Sequence, residues 1–146
     1  MSLRKKGKYY YGESQRDIEG ELLRYSNLNE YPTTHYKKAF CHCGSKLFNL
    51  MIDDNEGAAV RNCVSCQQKH PIGDSSEYLD DAELEECECP CGSSAFEITV
   101  GVSLYQDSKD VKWFYIGCRC EDCGLTACYG DWKNEYTNFQ DLLSRV

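Results

Sequence analysis

Eight cysteines set out as two matching quartets constrain this chain more than any other feature of it. Cys41-His42-Cys43-Gly44-Ser45 recurs as Cys89-Pro90-Cys91-Gly92-Ser93, and Cys63-Val64-Ser65-Cys66 recurs as Cys120-Glu121-Asp122-Cys123. The first copy is spaced C-x-C-x19-C-x2-C and the second C-x-C-x28-C-x2-C. The likeness runs past the thiols. Phe48 and Phe96 sit at the same distance after the first pair, and Gly73-Asp74 and Gly130-Asp131 follow seven residues behind the last cysteine of each copy. Glu77-Tyr78 and Glu135-Tyr136 come next at nearly matching distance. Correlated matches of this kind indicate a tandem duplication of one module of about 45 to 55 residues.

Two close thiol pairs brought together by a hairpin form a tetrahedral thiolate site with no open position, which is the coordination a structural Zn²⁺ prefers. Cys41, Cys43, Cys63 and Cys66 are the expected ligands of one ion, and Cys89, Cys91, Cys120 and Cys123 those of a second. The glycine after each C-x-C pair suits a turn with positive φ and lets backbone N–H groups approach the sulfurs. With 11 cysteines among 146 residues, the odd count cannot be paired within one chain. Met1 to Tyr11 contain no apolar stretch of the kind a secretory signal needs, so a cytoplasmic address is expected, where metal is favoured over disulfides. Tetrahedral sulfur also suits iron, which is the less favoured ion here. Cys87 and Cys118 are left over as buried thiols, substitute ligands or a disulfide pair, and Cys128 as a packing residue or substitute ligand. His42 and His70 lie near the knuckles and are alternative ligands, whereas His35 has no constellation around it.

Each quartet is expected to frame a β-hairpin. Phe96, Ile98, Val100, Val102 and Leu104 alternate with less apolar residues at the period of a half-buried strand, Asp107 to Asp110 make a polar turn, and Val111 to Cys118 return. In the first copy Leu47 to Ile52 and Ala58 to Cys63 flank the turn at Asp53 to Gly57. Ser14 to Ser26, with Ile18, Leu22 and Tyr25 on one face, reads as a helix opened by a capping box at Ser14. A short acidic helix is expected over Leu79 to Glu86, and a C-terminal helix after Thr137-Asn138.

In its paired knuckles the chain resembles the zinc-ribbon superfamily, over about residues 40–74 and 88–131. Zinc ribbons usually carry C-P-x-C-G at the first knuckle, and both copies here are one residue shorter. The resemblance implies two tandem β-hairpin zinc-ribbon modules in a small, metal-stabilised α+β fold with short flanking helices. The corresponding division is a basic, aromatic arm and helix over 1–38, a first module over 39–78, an acidic linker over 79–87, a second module over 88–136 and a C-terminal helix over 137–146.

Charge bears on partners. Lys and Arg outnumber Asp and Glu by 8 to 5 over residues 1–38 and are outnumbered 19 to 8 over the rest, a net of +3 and −11 within the −8 of the chain. A zinc held by four thiolates adds further negative charge, which disfavours nucleic acid as a partner of the cysteine-rich part. The exception is Arg4, Lys5, Lys6 and Lys8 beside Tyr9, Tyr10 and Tyr11, an arm suited to phosphates and stacked bases. No H-E-x-x-H, phosphate-binding loop or nucleophile elbow occurs, and no apolar run approaches the roughly 20 residues of a membrane helix. The favoured expectation is a non-catalytic protein with two structural Cys₄ zinc sites that binds another protein. The alternatives are nucleic-acid binding through the arm and an iron electron carrier of rubredoxin type.

Overall fold

The computed structural model of the chain describes residues 3–146; Met1 and Ser2, which begin the expected arm, lie outside the described residues. The elements are β1 (Arg4–Lys6), β2 (Tyr9–Tyr11), α1 (Arg16–Leu28), β3 (His35–Lys38), β4 (Phe48–Asp53), β5 (Ala58–Cys63), β6 (Lys69–Pro71), β7 (Glu85–Glu86), β8 (Phe96–Leu104), β9 (Val111–Cys120), β10 (Leu125–Lys133) and α2 (Phe139–Leu143). All ten strands join one sheet in the order β1-β2-β10-β9-β8-β4-β5-β6, with β3 added to β8 and β7 added to β4. This corrects the expected α+β fold of two separate hairpin modules between helices. The hairpins of the two copies merge into one antiparallel sheet over one core, and helices are a minor part of it.

The reason for the merger lies in the register. A lone two-stranded hairpin leaves its outer edge unpaired and is marginal in water. Here the first strands of the two copies meet head to head, Phe48 opposite Phe96. Each copy also lends the segment before its own cysteines to the other. Lys38 of β3 pairs with Thr99 of β8, and Glu86 of β7 pairs with Met51 of β4. The next residues continue the match, since Ala39 N–H donates to Ile98 O and Cys87 N–H donates to Leu50 O. Lys38 and Glu86 each stand three residues ahead of a first cysteine, and Thr99 and Met51 each three past the paired phenylalanines. The two hairpins are therefore placed alike about their junction. An ion-pair cluster around the buried Glu97 of β8 also spans it, with Arg119 and the exposed Lys46 of the first copy each at 2.9 Å.

The sheet curls on itself. Ile52 of β4 lies against Gly130 of β10, where a Cβ would stand 2.9 Å from its methyl, and the turn at Gly57 lies against the Trp132 ring. The enclosed core contains Phe48, Leu50, Phe96, Ile98, Val100, Phe114 and Ile116 together with Ile72 and Leu142. On the other face Ile18 and Leu22 of α1 pack on Tyr115. Gly117 makes that approach feasible, because a Cβ there would sit 2.5 Å from Ile18 Cγ2.

Two local expectations are corrected. Ser14 does not cap α1; the Asp17 carboxylate instead reaches back to accept from the N–H groups of Glu13 and Ser14. The acidic helix over 79–86 is absent: Leu79–Asp81 is a single 3₁₀ turn, after which Glu83 N–H donates to Asp53 and the chain enters β7. The basic, aromatic arm is built into the sheet: its two strands pair with each other and Tyr11 pairs with Leu125 of β10.

Candidate metal centres

Both quartets are assembled from turns of the same construction. The C-x-C turns close with Cys41 N–H donating to Ser45 O and Gly44 N–H to Cys41 O, and identically with Cys89, Ser93 and Gly92, all four bonds being 2.8 Å. Gly44 at φ +96° and Gly92 at φ +99° adopt the left-handed backbone that only glycine reaches without strain. The C-x2-C turns close with Gln67 N–H donating to Cys63 O and Gly124 N–H to Cys120 O. The first turn leads into β4 or β8 and the second closes β5 or β9, so each hairpin carries its own four thiols at the end nearest the junction.

The four Sγ atoms of Cys41, Cys43, Cys63 and Cys66 lie within 4.8 Å of one another, as do those of Cys89, Cys91, Cys120 and Cys123. In both groups the first cysteine faces the fourth and the second faces the third. Cys41–Cys66 is 3.5 Å, and Cys43–Cys63, Cys89–Cys123 and Cys91–Cys120 are each 3.6 Å. A disulfide at ~2.05 Å is far shorter. Tetrahedral thiolates at ~2.3 Å from an ion have sulfurs about 3.8 Å apart, which these separations approach. One side of each group is buried, at Cys41, Cys63, Cys89 and Cys120, and the other is exposed.

The electrostatics of the thiols point the same way. The N–H groups of Cys66 and Ser65, aimed at Cys63, bring its thiol down to about 6. Burial opposes ionisation of Cys120, but the N–H groups of Cys123 and Asp122 outweigh it and bring that thiol down to about 7. Cys66 receives the Gln68 N–H, yet the neighbouring Cys41 and Cys63 thiols carry it up to about 12. Burial holds Cys89 above the ordinary thiol range. One thiolate per group is thus favoured, and Cys66 in the first group and Cys89 in the second resist following it. A cation at the centre removes that resistance, and metal binding expels the remaining protons.

None of the residues weighed as substitutes, His42 among them, belongs to either group of candidate ligands. Cys118 is fully buried and Cys87 half-buried in the main core, Cys118 held well above the ordinary thiol range by burial and Cys87 pushed by it up to about 11. Cys128 packs beside α1 and its thiol donates weakly to Gly130 O at 3.4 Å. His70 Nε2 lies 2.7 Å from Arg145 O, and His35 stacks on Phe139. The two groups of possible ligands found among the described residues contain cysteine alone. No helix of the described chain is long and apolar enough to cross a membrane. Compared with protein-family models, with curated proteins and with solved structures, the chain matches none.

Proposed function

We propose that this is a non-catalytic, zinc-stabilised protein that binds another protein, its two Cys₄ sites each holding one structural Zn²⁺. The observation that carries the reading is the pair of closed all-thiol groups flanking a single sheet junction. A catalytic zinc keeps one coordination position free, commonly on a histidine-containing ligand set, whereas four converging sulfurs fill the tetrahedron. Placing both sites at the junction of two hairpins lets each ion fasten two turns that the modest core alone would hold weakly. The matched registers support descent of the two halves from one module.

Elemental analysis of the purified chain should give two zinc ions per molecule, and X-ray absorption four sulfur neighbours at about 2.3 Å. A red protein carrying iron moves the reading to an electron carrier, and a ratio of one metal ion or none removes it.

A second reading has one observation in its favour. Arg4, Lys5 and Lys6 are all exposed along β1, the outermost strand, beside a row of tyrosines. Lys5 stands over the Tyr10 ring and Lys8 over the Tyr9 ring. A basic edge with stacking rings suits single-stranded nucleic acid, although charged edges also serve to keep sheets from pairing with one another. Reversing Arg4, Lys5 and Lys6 to Glu leaves β1 paired and tests it. Micromolar, salt-dependent binding of an oligonucleotide that disappears in this variant favours nucleic acid over a protein partner.

A further inference from the structure

Arg61, on β5, is the one buried cation among the described residues, 5% exposed. No side-chain carboxylate of those residues lies within ion-pair distance of it. Its Nη2 donates to two main-chain oxygens, Val146 O at 3.1 Å and Phe40 O at 3.4 Å, and its Nε is buried with no acceptor at all. Taking a charged group out of water is costly unless an opposite charge meets it.

The place of the guanidinium shows where that charge comes from. Arg61 and Cys63 are two residues apart on one strand, so their side chains share a face of the sheet. Cys63 stands opposite Phe48 in the pairing of β4 with β5, and the guanidinium lies over the Phe48 ring, 4.5 Å from its centre. One carbonyl that it reaches belongs to Phe40, the residue just before Cys41. The cation is thus bracketed by Cys41 and Cys63, the two buried thiols of the first quartet. Burial works against its charge, and those same two thiols work for it. We infer that Arg61 is the charge partner of the first metal centre, offsetting from the buried side the negative charge of four thiolates around a divalent ion. The inference rests on the metal-binding reading above and makes the two centres unequal.

Four thiolates around one divalent ion leave an excess of negative charge. Water can answer it at the exposed Cys43 and Cys66, but not at Cys41 and Cys63. A guanidinium suits the dry side, because it is weakly hydrated, stays charged and can stack on an aromatic ring. The second copy has no such cation. Cys118 holds the matching place, two residues ahead of Cys120 and facing Ile98 as Arg61 faces Leu50, with Phe96 opposite Cys120 as Phe48 is opposite Cys63. Its side chain is a fully buried thiol. The second quartet is therefore the internal control for the first.

The test titrates the zinc-loaded full chain with EDTA. Ions that remain are counted by native mass spectrometry, and thiols freed at each step are tagged with N-ethylmaleimide and located by peptide mapping. Arg61→Met removes the charge at nearly constant length, and Arg61→Lys keeps it. Arg61→Met should weaken zinc binding by the first quartet about tenfold, the usual cost of losing an outer partner of a metal site, and leave the second quartet unchanged, while Arg61→Lys should recover most of the loss. An unchanged first quartet in Arg61→Met, an equal loss at both quartets, or an equal loss in Arg61→Lys and Arg61→Met overturns the inference, since packing alone favours the apolar methionine over lysine. If Arg61→Met does not fold, Arg61→Gln, neutral and able to keep the bond to Phe40 O, is read in its place; failure of all three variants to fold assigns Arg61 to packing and overturns the inference as well. A wild-type chain with fewer than two zinc ions removes the metal reading itself, whereas two ions in the wild type with any of these failures removes the role of Arg61 alone.

Discussion

Replacing Cys120 and Cys128 by serine, one at a time, separates ligand from packing within a single strand system. Cys120 ends β9, its Sγ 3.6 Å from that of Cys91 and within reach of two backbone N–H groups. Structural zinc contributes roughly 10–16 kcal/mol to a small site, so one ligand of four carries about 3 kcal/mol, and a serine hydroxyl replaces a thiolate poorly. For a chain of this size that is a melting temperature lower by about 10 °C. Cys128 lies half-buried against α1, and its thiol makes a long hydrogen bond to Gly130 O. Serine makes the same bond, and the exchange should cost less than about 1 kcal/mol. Zinc content by elemental analysis and thermal melting of both variants is the assay. Cys120→Ser should retain about one zinc and Cys128→Ser both. Comparable zinc loss in the two variants would refute the assignment of the second site.

Three further outcomes follow from the same geometry. Stripping the metal with a strong chelator should melt both hairpins in one transition with loss of near-ultraviolet circular dichroism, because Phe48 and Phe96 share one core; an apo chain that keeps its signal and melts cooperatively makes the metal dispensable. Gly117→Ala should destabilise the chain by about 1–3 kcal/mol in urea unfolding, since its methyl meets Ile18 at 2.5 Å, and an unchanged midpoint means that α1 is not seated on β9. Asp74→Asn should raise stability at pH 7. A carboxyl whose folded affinity for protons exceeds the unfolded one costs stability when ionised, and the cost falls away as pH drops through its raised value; the variant should therefore melt higher at pH 7, and an unchanged or lower melting temperature shows that the carboxylate is already neutralised.

The quartets, both hairpins and α1 were legible because their signals are local: cysteine spacing, alternation over Phe96 to Leu104, and the helical spacing of Ile18 and Leu22. The joining of the sheet was not, because β3 and β7 carry no pattern of their own. His-Tyr-Lys-Lys and Glu-Glu become strands only against edges supplied by the other copy. That long-range pairing also overrode the helical look of 79–86, where Asp53 accepts the Glu83 N–H and the free edge of β4 takes up Glu85 and Glu86. β10 was hidden by Gly130-Asp131, a pair that reads as a turn and here sits at a bulge between Cys128 and Gly130.

The cysteine quartets and a cleft lined by Glu56, Gly57, Asp74, Tyr78, Trp132 and Asn134 lie at different ends of one curled sheet. The six residues of β4 put the turn at Glu56 and Gly57 about 20 Å from the cysteines that anchor the hairpin. The opposite wall comes from the end of β10, and β10 starts just past Cys123. Neither copy contains both walls, so a single hairpin has no cleft. The walls meet where Phe48 faces Phe96 and Ile52 rests on Gly130. Duplicating the hairpin thus provides what one copy lacks: two tails with different residues, aspartate and tyrosine from one and tryptophan and asparagine from the other, brought to one cleft.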